Sequence, residues 1–130
     1  MSIAKVLGIE TEYGIIATGV DSSPVTSSSL LINSYVSRFD ATIGWDFDAE
    51  RPGSDARGFS LDDVFPQDIE MSMVNTVLTN GARYYVDHAH PEVSTPECRT
   101  ASEAVLFDRA GEEIVRQSMD AAKRVLPAGA

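Results

Sequence analysis

The chain is poor in cysteine, histidine and positive charge, and each shortage excludes something. Its single cysteine, Cys98, cannot close an internal disulfide. That fits a reducing, cytoplasmic setting, and a small buried residue is a better reading of it than a thiol nucleophile. The two histidines, His88 and His90, are not spaced as the helical i, i+4 pair of zinc proteases, and no third one exists, which argues against a zinc hydrolase. Ten Lys and Arg face 20 Asp and Glu, a formal net charge of −10. Non-specific nucleic-acid binding and attachment to an anionic membrane surface both need basic surface that this composition lacks. The first apolar run is short and is followed at once by Glu10 and Glu12, and no stretch approaches the length of a membrane span. Neither a Walker A loop nor a dinucleotide fingerprint is present. An acidic protein can still hold an anion through a bound cation, because the ion supplies the positive charge. With 130 residues, 43% of them hydrophobic, one domain with a modest core is expected.

Against these absences stands one dense stretch, Asn80-Gly81-Ala82-Arg83-Tyr84-Tyr85-Val86-Asp87-His88-Ala89-His90-Pro91-Glu92. Asn80-Gly81 is a turn dipeptide, and the β-favouring run after it predicts a strand over Arg83 to Asp87. Side chains alternate along a strand, so Arg83, Tyr85 and Asp87 share one face and Tyr84 and Val86 the other. A cation, a phenol and a carboxylate on one side mark a candidate active site. Near the start, Gly8-Ile9-Glu10-Thr11-Glu12-Tyr13-Gly14 puts Glu10 and Glu12 on one face, roughly 7 Å apart along the strand. Neighbouring carboxylates raise one another's pKa unless a cation lies between them, and Mg²⁺ is suited to oxygen ligands. A solvated acidic face needs no metal, and an ion pair of Arg83 with Glu10 or Glu92 explains that arginine equally well. Asp87 is the candidate nucleophile or general base, against the plainer reading of a strand-ending Asp that caps a turn.

Around these stretches, residues 3–17 read as a strand or hairpin limb, and Asp21 to Ser29 as a turn region. A helix is predicted from Ser28, with Leu31, Tyr35 and Phe39 as its apolar stripe. From Asp40 to about Ile69 periodicity is lost, and an acidic loop or insert is expected at about 40–70. Within it, Asp46 to Glu50 hints at a calcium loop, but Arg51 and Arg57 stand where glycine and glutamate belong. Structure resumes at Met73 to Leu78, and the Pro-punctuated segment from His88 to Glu97 reads as an irregular strand pair. Thr100 and Glu103 form a capping box opening a helix to about Val125, with Val105, Leu106, Ile114, Val115, Met119, Ala122 and Val125 as its stripe and Pro127 as its stop.

Five ordered motifs span nearly the whole chain: the Gly8–Gly14 run, the Asn80–Asp87 run, His90-Pro91-Glu92, Pro96-Glu97-Cys98, and Asp108-Arg109-Ala110-Gly111-Glu112. Together they resemble the family of the Pup ligase and the Pup deamidase/depupylase, which attach and remove the prokaryotic ubiquitin-like protein Pup. The resemblance implies an α+β, glutamine-synthetase-like (carboxylate–amine ligase) fold, an antiparallel sheet packed with helices, of which residues 1–130 form the N-terminal part of the catalytic domain. It implies ATP and Mg²⁺ as cofactors, Pup and pupylated proteins as partners, and a functional link to the bacterial proteasome. By it Glu10, Tyr85 and Glu92 would be metal ligands, with Glu12 a further contact. Arg83 and Thr95 would contact ATP, and Asp87 would be the catalytic acid/base or nucleophile. The acidic insert and the Val86–Glu92 run resemble the deamidase/depupylase branch, which hydrolyses the C-terminal carboxamide of Pup and the Pup–lysine isopeptide bond. The alternatives are the ligase of the same family and a non-catalytic fragment that needs a C-terminal part.

Overall fold

The computed structural model describes residues 5–40, 43–44 and 74–127. Among these residues, five antiparallel strands form one sheet in the order β1-β5-β4-β3-β2. They are β1 (Glu10–Glu12), β2 (Ile43–Gly44), β3 (Asn75–Val77), β4 (Arg83–Asp87) and β5 (His90–Ser94). Two helices, α1 (Pro24–Val36) and α2 (Ala101–Ala122), pack against each other and against the strands. The architecture is therefore α+β with an antiparallel sheet, as expected. Of the insert expected at about 40–70, Asp40 and the short strand β2 are described; the remainder, with the Asp46–Glu50 hint, lies outside the described residues.

Local chemistry explains the element ends. Gly81 has φ 84° in the turn between β3 and β4, a left-handed conformation that glycine adopts without a Cβ clash. The Asn80 side chain accepts from the Ala82 N–H at 3.1 Å and closes the same turn. β5 is regular where an irregular pair was expected, because Pro91 occupies a position its missing N–H can tolerate. Its carbonyl accepts from the Tyr13 N–H at 2.9 Å, but it has no proton to return to Tyr13. The ladder between β1 and β5 therefore stops at Glu12↔Glu92.

α1 starts earlier than predicted, at Pro24, which suits the first helical turn, with the Ser23 side chain accepting from the Thr26 N–H. Ser27 and Ser28 are buried within it, and each finds a partner, Ser27 in Ser22 at 2.7 Å and Ser28 in the Ala89 carbonyl at 3.0 Å. Leu31 is buried and Tyr35 half-buried as expected, but Phe39 lies beyond the helix and is exposed. α2 opens with the predicted capping box: the Glu103 N–H donates to the Thr100 hydroxyl at 3.1 Å and the Thr100 N–H to the Glu103 carboxylate at 3.2 Å.

The buried face of α2 differs from the predicted stripe. Val115 and Ala122 are buried and Ile114 is half-buried, but Val105, Leu106, Met119 and Val125 are exposed. The buried positions are completed by Ala104, Gly111 and Ser118. Small residues bring the helix close to the sheet: a Cβ added to Gly111 would lie 3.0 Å from a Val93 methyl. Tyr84 reaches up from the sheet to donate its hydroxyl hydrogen to Ser118 at 3.2 Å. The core gathers Val25, Leu31, Ile32 and Val36 of α1, Val115 and Ala122 of α2, and Tyr84, Val86 and Val93 of the sheet.

Two substitutions test this packing. Gly111→Leu forces a large side chain against Val93 and should lower stability by about 1–3 kcal/mol. Thr100→Ala removes the cap and should cost about 1 kcal/mol. Urea unfolding measures both, and a Gly111→Leu protein as stable as wild type would contradict the close approach.

Candidate functional site

The helices cover one face of the sheet, and the polar side chains line the other in cross-strand rows. Register sets Glu10 beside Ser94 and Ser94 beside Arg83. The next row runs Glu12, Glu92, Tyr85, Asn75. Asp87 stands opposite His90 where β4 turns into β5. Directly opposed residues on neighbouring strands point the same way, so the predicted alternation holds: Arg83, Tyr85 and Asp87 share this face, while Tyr84 and Val86 enter the core.

The centre of the face is the pair Tyr85–Glu92. Both residues are buried, 4% and 5% exposed, and the Tyr85 hydroxyl donates to Glu92 Oε1 at 2.6 Å. Burial raises the Glu92 pKa above the usual carboxylate range; the Tyr85 hydrogen bond opposes this, and repulsion from Asp87, Glu10 and Glu12 adds to it. The Tyr85 pKa is also raised, first by burial and then by its bond to Glu92, so the phenol stays protonated. The Arg83 guanidinium carbon sits 3.6 Å from the centre of the Tyr85 ring, a cation–π contact, and Arg83 Nε donates to Asn75 Oδ1 at 3.0 Å.

The remaining predicted residues surround this pair. The Glu10 carboxylate accepts from Ser94 Oγ at 3.3 Å, and Ser94 Oγ lies 3.2 Å from the Tyr85 hydroxyl. Glu12 Oε1 meets His90 Nδ1 at 2.5 Å. Asp87 Oδ2 meets His88 Nδ1 at 2.7 Å. Thr95 follows β5, where its hydroxyl accepts from the Ile9 N–H at 2.9 Å and its own N–H donates to the Ile9 carbonyl at 2.8 Å. It thus ties the approach to β1 onto the end of β5, and its hydroxyl hydrogen is left to serve another acceptor. Cys98 is buried and free, as expected.

Sequence reasoning missed Ser94 and Asn75. Ser94 was within reach, since it lies two residues beyond Glu92 and shares its face. Asn75 needed the register of β3 against β4, which no single-strand pattern reveals.

Among the described residues, no three His, Cys, Asp or Glu side chains are gathered into a ready-made ion cage. The carboxylates are spread over two neighbouring rows instead. The donors they offer are nonetheless all oxygen, from Glu10, Glu12, Glu92 and the neutral phenol of Tyr85, a set suited to a hard cation such as Mg²⁺. A cation would also relieve the mutual repulsion that Glu92 records. The residues fit such an ion. No helix among the described residues is long and apolar enough to cross a membrane.

The raised Glu92 pKa gives a signed prediction. The folded state holds this proton more tightly than the unfolded chain, whose Glu titrates near about 4.3. Burying Glu92 therefore costs nothing below that pH, and the cost grows as pH rises towards the raised folded value. Glu92→Gln keeps an acceptor for Tyr85 and has no charge to bury. In EDTA, its stability relative to wild type should increase across that window, read from urea unfolding at several pH values. A difference that does not change with pH would contradict the assignment.

Comparison with known proteins adds family context. A family profile described as Pup-ligase protein matches residues 5–128. The chain is 43% identical over 128 residues to the depupylase of Acidothermus cellulolyticus, covering 88% of this chain and 24% of the relative. It is 40% identical over 131 residues to the Pup deamidase/depupylase of Mycolicibacterium smegmatis, covering 92% of this chain and 25% of that protein. A Pup–protein ligase of Bifidobacterium adolescentis is 32% identical over 126 residues, covering 95% and 20% respectively. The chain thus spans about a quarter of the length of the first two relatives.

Proposed function

The chain belongs to the Pup-ligase protein family, and on that footing we propose that it carries the acidic sheet of a Pup deamidase and depupylase. The reaction is hydrolysis of the C-terminal glutamine carboxamide of Pup to glutamate, and of the isopeptide bond between Pup and a substrate lysine. The observation that carries this reading over ligation is the identity gap: 40–43% with relatives named depupylase or deamidase, and 31–32% with relatives named ligase.

In this reading the sheet is part of a glutamine-synthetase-like domain in a cytoplasmic enzyme, working on pupylated proteins upstream of the bacterial proteasome. Glu10, Glu12 and Glu92 would hold Mg²⁺, with Tyr85 completing the set through its neutral oxygen or by orienting Glu92. Arg83 and Thr95 would contact ATP, bound as a structural cofactor. When bound, such an ion would supply positive charge to offset the negative charge that develops on the amide oxygen.

Asp87 does the chemistry. Its side chain is 24% exposed and its Oδ2 lies 2.7 Å from His88 Nδ1, whereas Glu92 is buried and hydrogen-bonded to Tyr85. It acts on the amide carbon directly as a nucleophile, or as the base that takes a proton from the attacking water. Arg83 is fixed between Asn75 and the Tyr85 ring, so its charge is in place before substrate arrives.

The test is a mass-spectrometric assay of the complete gene product with glutamine-ended Pup, Mg²⁺ and ATP. Amide-to-acid conversion is expected, and Asp87→Asn should lower it by about 10²-fold or more. Single turnover in ¹⁸O water tests the nucleophilic role, since label in Asp87 requires an anhydride between Asp87 and Pup that water cleaves at the Asp87 carbonyl, whereas label in Pup alone fits either role. Failure to convert, with glutamate-ended Pup joined to a lysine protein instead, would move the chain to the ligase branch.

A further inference from the structure

The turn from β4 to β5 consists of His88 and Ala89 alone, since Asp87 already pairs with His90. Both turn residues have left-handed backbone, with φ 45° and 67°. A two-residue hairpin requires positive φ, and Asn-Gly or Asp-Gly usually provides it. Other side chains are strained in this region and persist only where their surroundings hold them.

Ala89 is well held. It is fully buried in the core, and its carbonyl accepts from Ser28 Oγ of α1 at 3.0 Å. His88 has no comparable packing: its side chain is 55% exposed. What it does have is the 2.7 Å contact between Nδ1 and Asp87 Oδ2. An exposed position that glycine or asparagine would occupy more easily thus carries a ring whose nitrogen meets the candidate catalytic carboxylate.

We propose that His88 is a positioning residue for Asp87. A turn of the exposed ring aims its Nδ1–H at Oδ2, 2.7 Å away, and leaves Oδ1 to act on the substrate amide, while Ser28 and the buried Ala89 keep the turn in the conformation that brings the ring there. A carboxylate partner selects the Nδ1–H tautomer, because a bare ring nitrogen would face it with a lone pair. This rests on the reading of Asp87 as the catalytic residue.

Stability and turnover should separate in the complete gene product. His88→Gly removes the donor and relieves the backbone. The melting temperature should hold or rise, kcat should fall about tenfold or more, and KM for glutamine-ended Pup should stay within about twofold. Asn tolerates left-handed backbone and offers a side-chain N–H, so His88→Asn should recover most of the lost kcat. A His88→Gly enzyme as active as wild type would overturn the proposal, as would an Asn variant no better than Gly. A readout independent of activity is the ¹⁵N shift of the His88 ring. The wild type should show the Nδ1–H tautomer, and Asp87→Ala should move it towards Nε2–H. An Nε2–H ring in the wild type overturns the proposal whatever the reaction. If the wild type ligates Pup instead of deamidating it, the proposed reaction fails, while the tautomer and the order of the variants still judge His88.

Discussion

The polar face depends on the register of β5 against β4, which is set where a two-residue turn brings Asp87 opposite His90. From that closing pair inward, every partner is determined: Tyr85 meets Glu92 and Arg83 meets Ser94. Because side chains alternate, the same register sends Tyr84, Val86 and Val93 into the core. Core and site are therefore two sides of one alignment. α1 takes part in it from the far side, since Ser28 holds the carbonyl of Ala89.

The centre of the face is held under electrostatic tension. Burial disfavours the charge of Glu92 first and three neighbouring carboxylates add to it, while the Tyr85 hydrogen bond offsets only part of the whole. A purely structural sheet has no need of this arrangement. Groups whose environments oppose their charge cluster where proteins bind ions or do chemistry, and tension of this kind is a common cost of such sites. Thr11 links this strand to the helical layer behind it, donating to Asp108 of α2 at 3.0 Å. The carboxylates of β1 are thereby anchored through the backbone while their side chains remain on the open face.

What could be read from the sequence divides along physical lines. β4 was legible because a turn dipeptide and a period-two pattern agree there, and the family was legible because five motifs occur in order. The start of α2 was legible because a capping box is a local signal. Its buried face was not: Ala104, Gly111 and Ser118 contribute closeness rather than hydrophobicity, while Val105 and Leu106, which look like core, remain exposed. The first turn of α1 was hidden by serines that resemble a loop until their buried partners are known. Pro91 suggested irregularity, and only the identity of its neighbours shows that its missing proton ends β1 without disturbing β5. On the site face, alternation grouped residues within each strand, but Asn75 and the His88–Asp87 contact needed pairing and turn geometry.

The early stop that Pro91 imposes on β1 has a consequence for association between molecules. Among the described residues β1 is an outer strand of the sheet, and an open strand edge invites another chain to add to it. Here the edge is three residues long, and two of them are glutamates. A second copy pairing in antiparallel fashion would bring acid against acid, so the same charges that line the open face also discourage sheets from joining edge to edge. Neutralising those charges, by acid or by a divalent ion, weakens that protection.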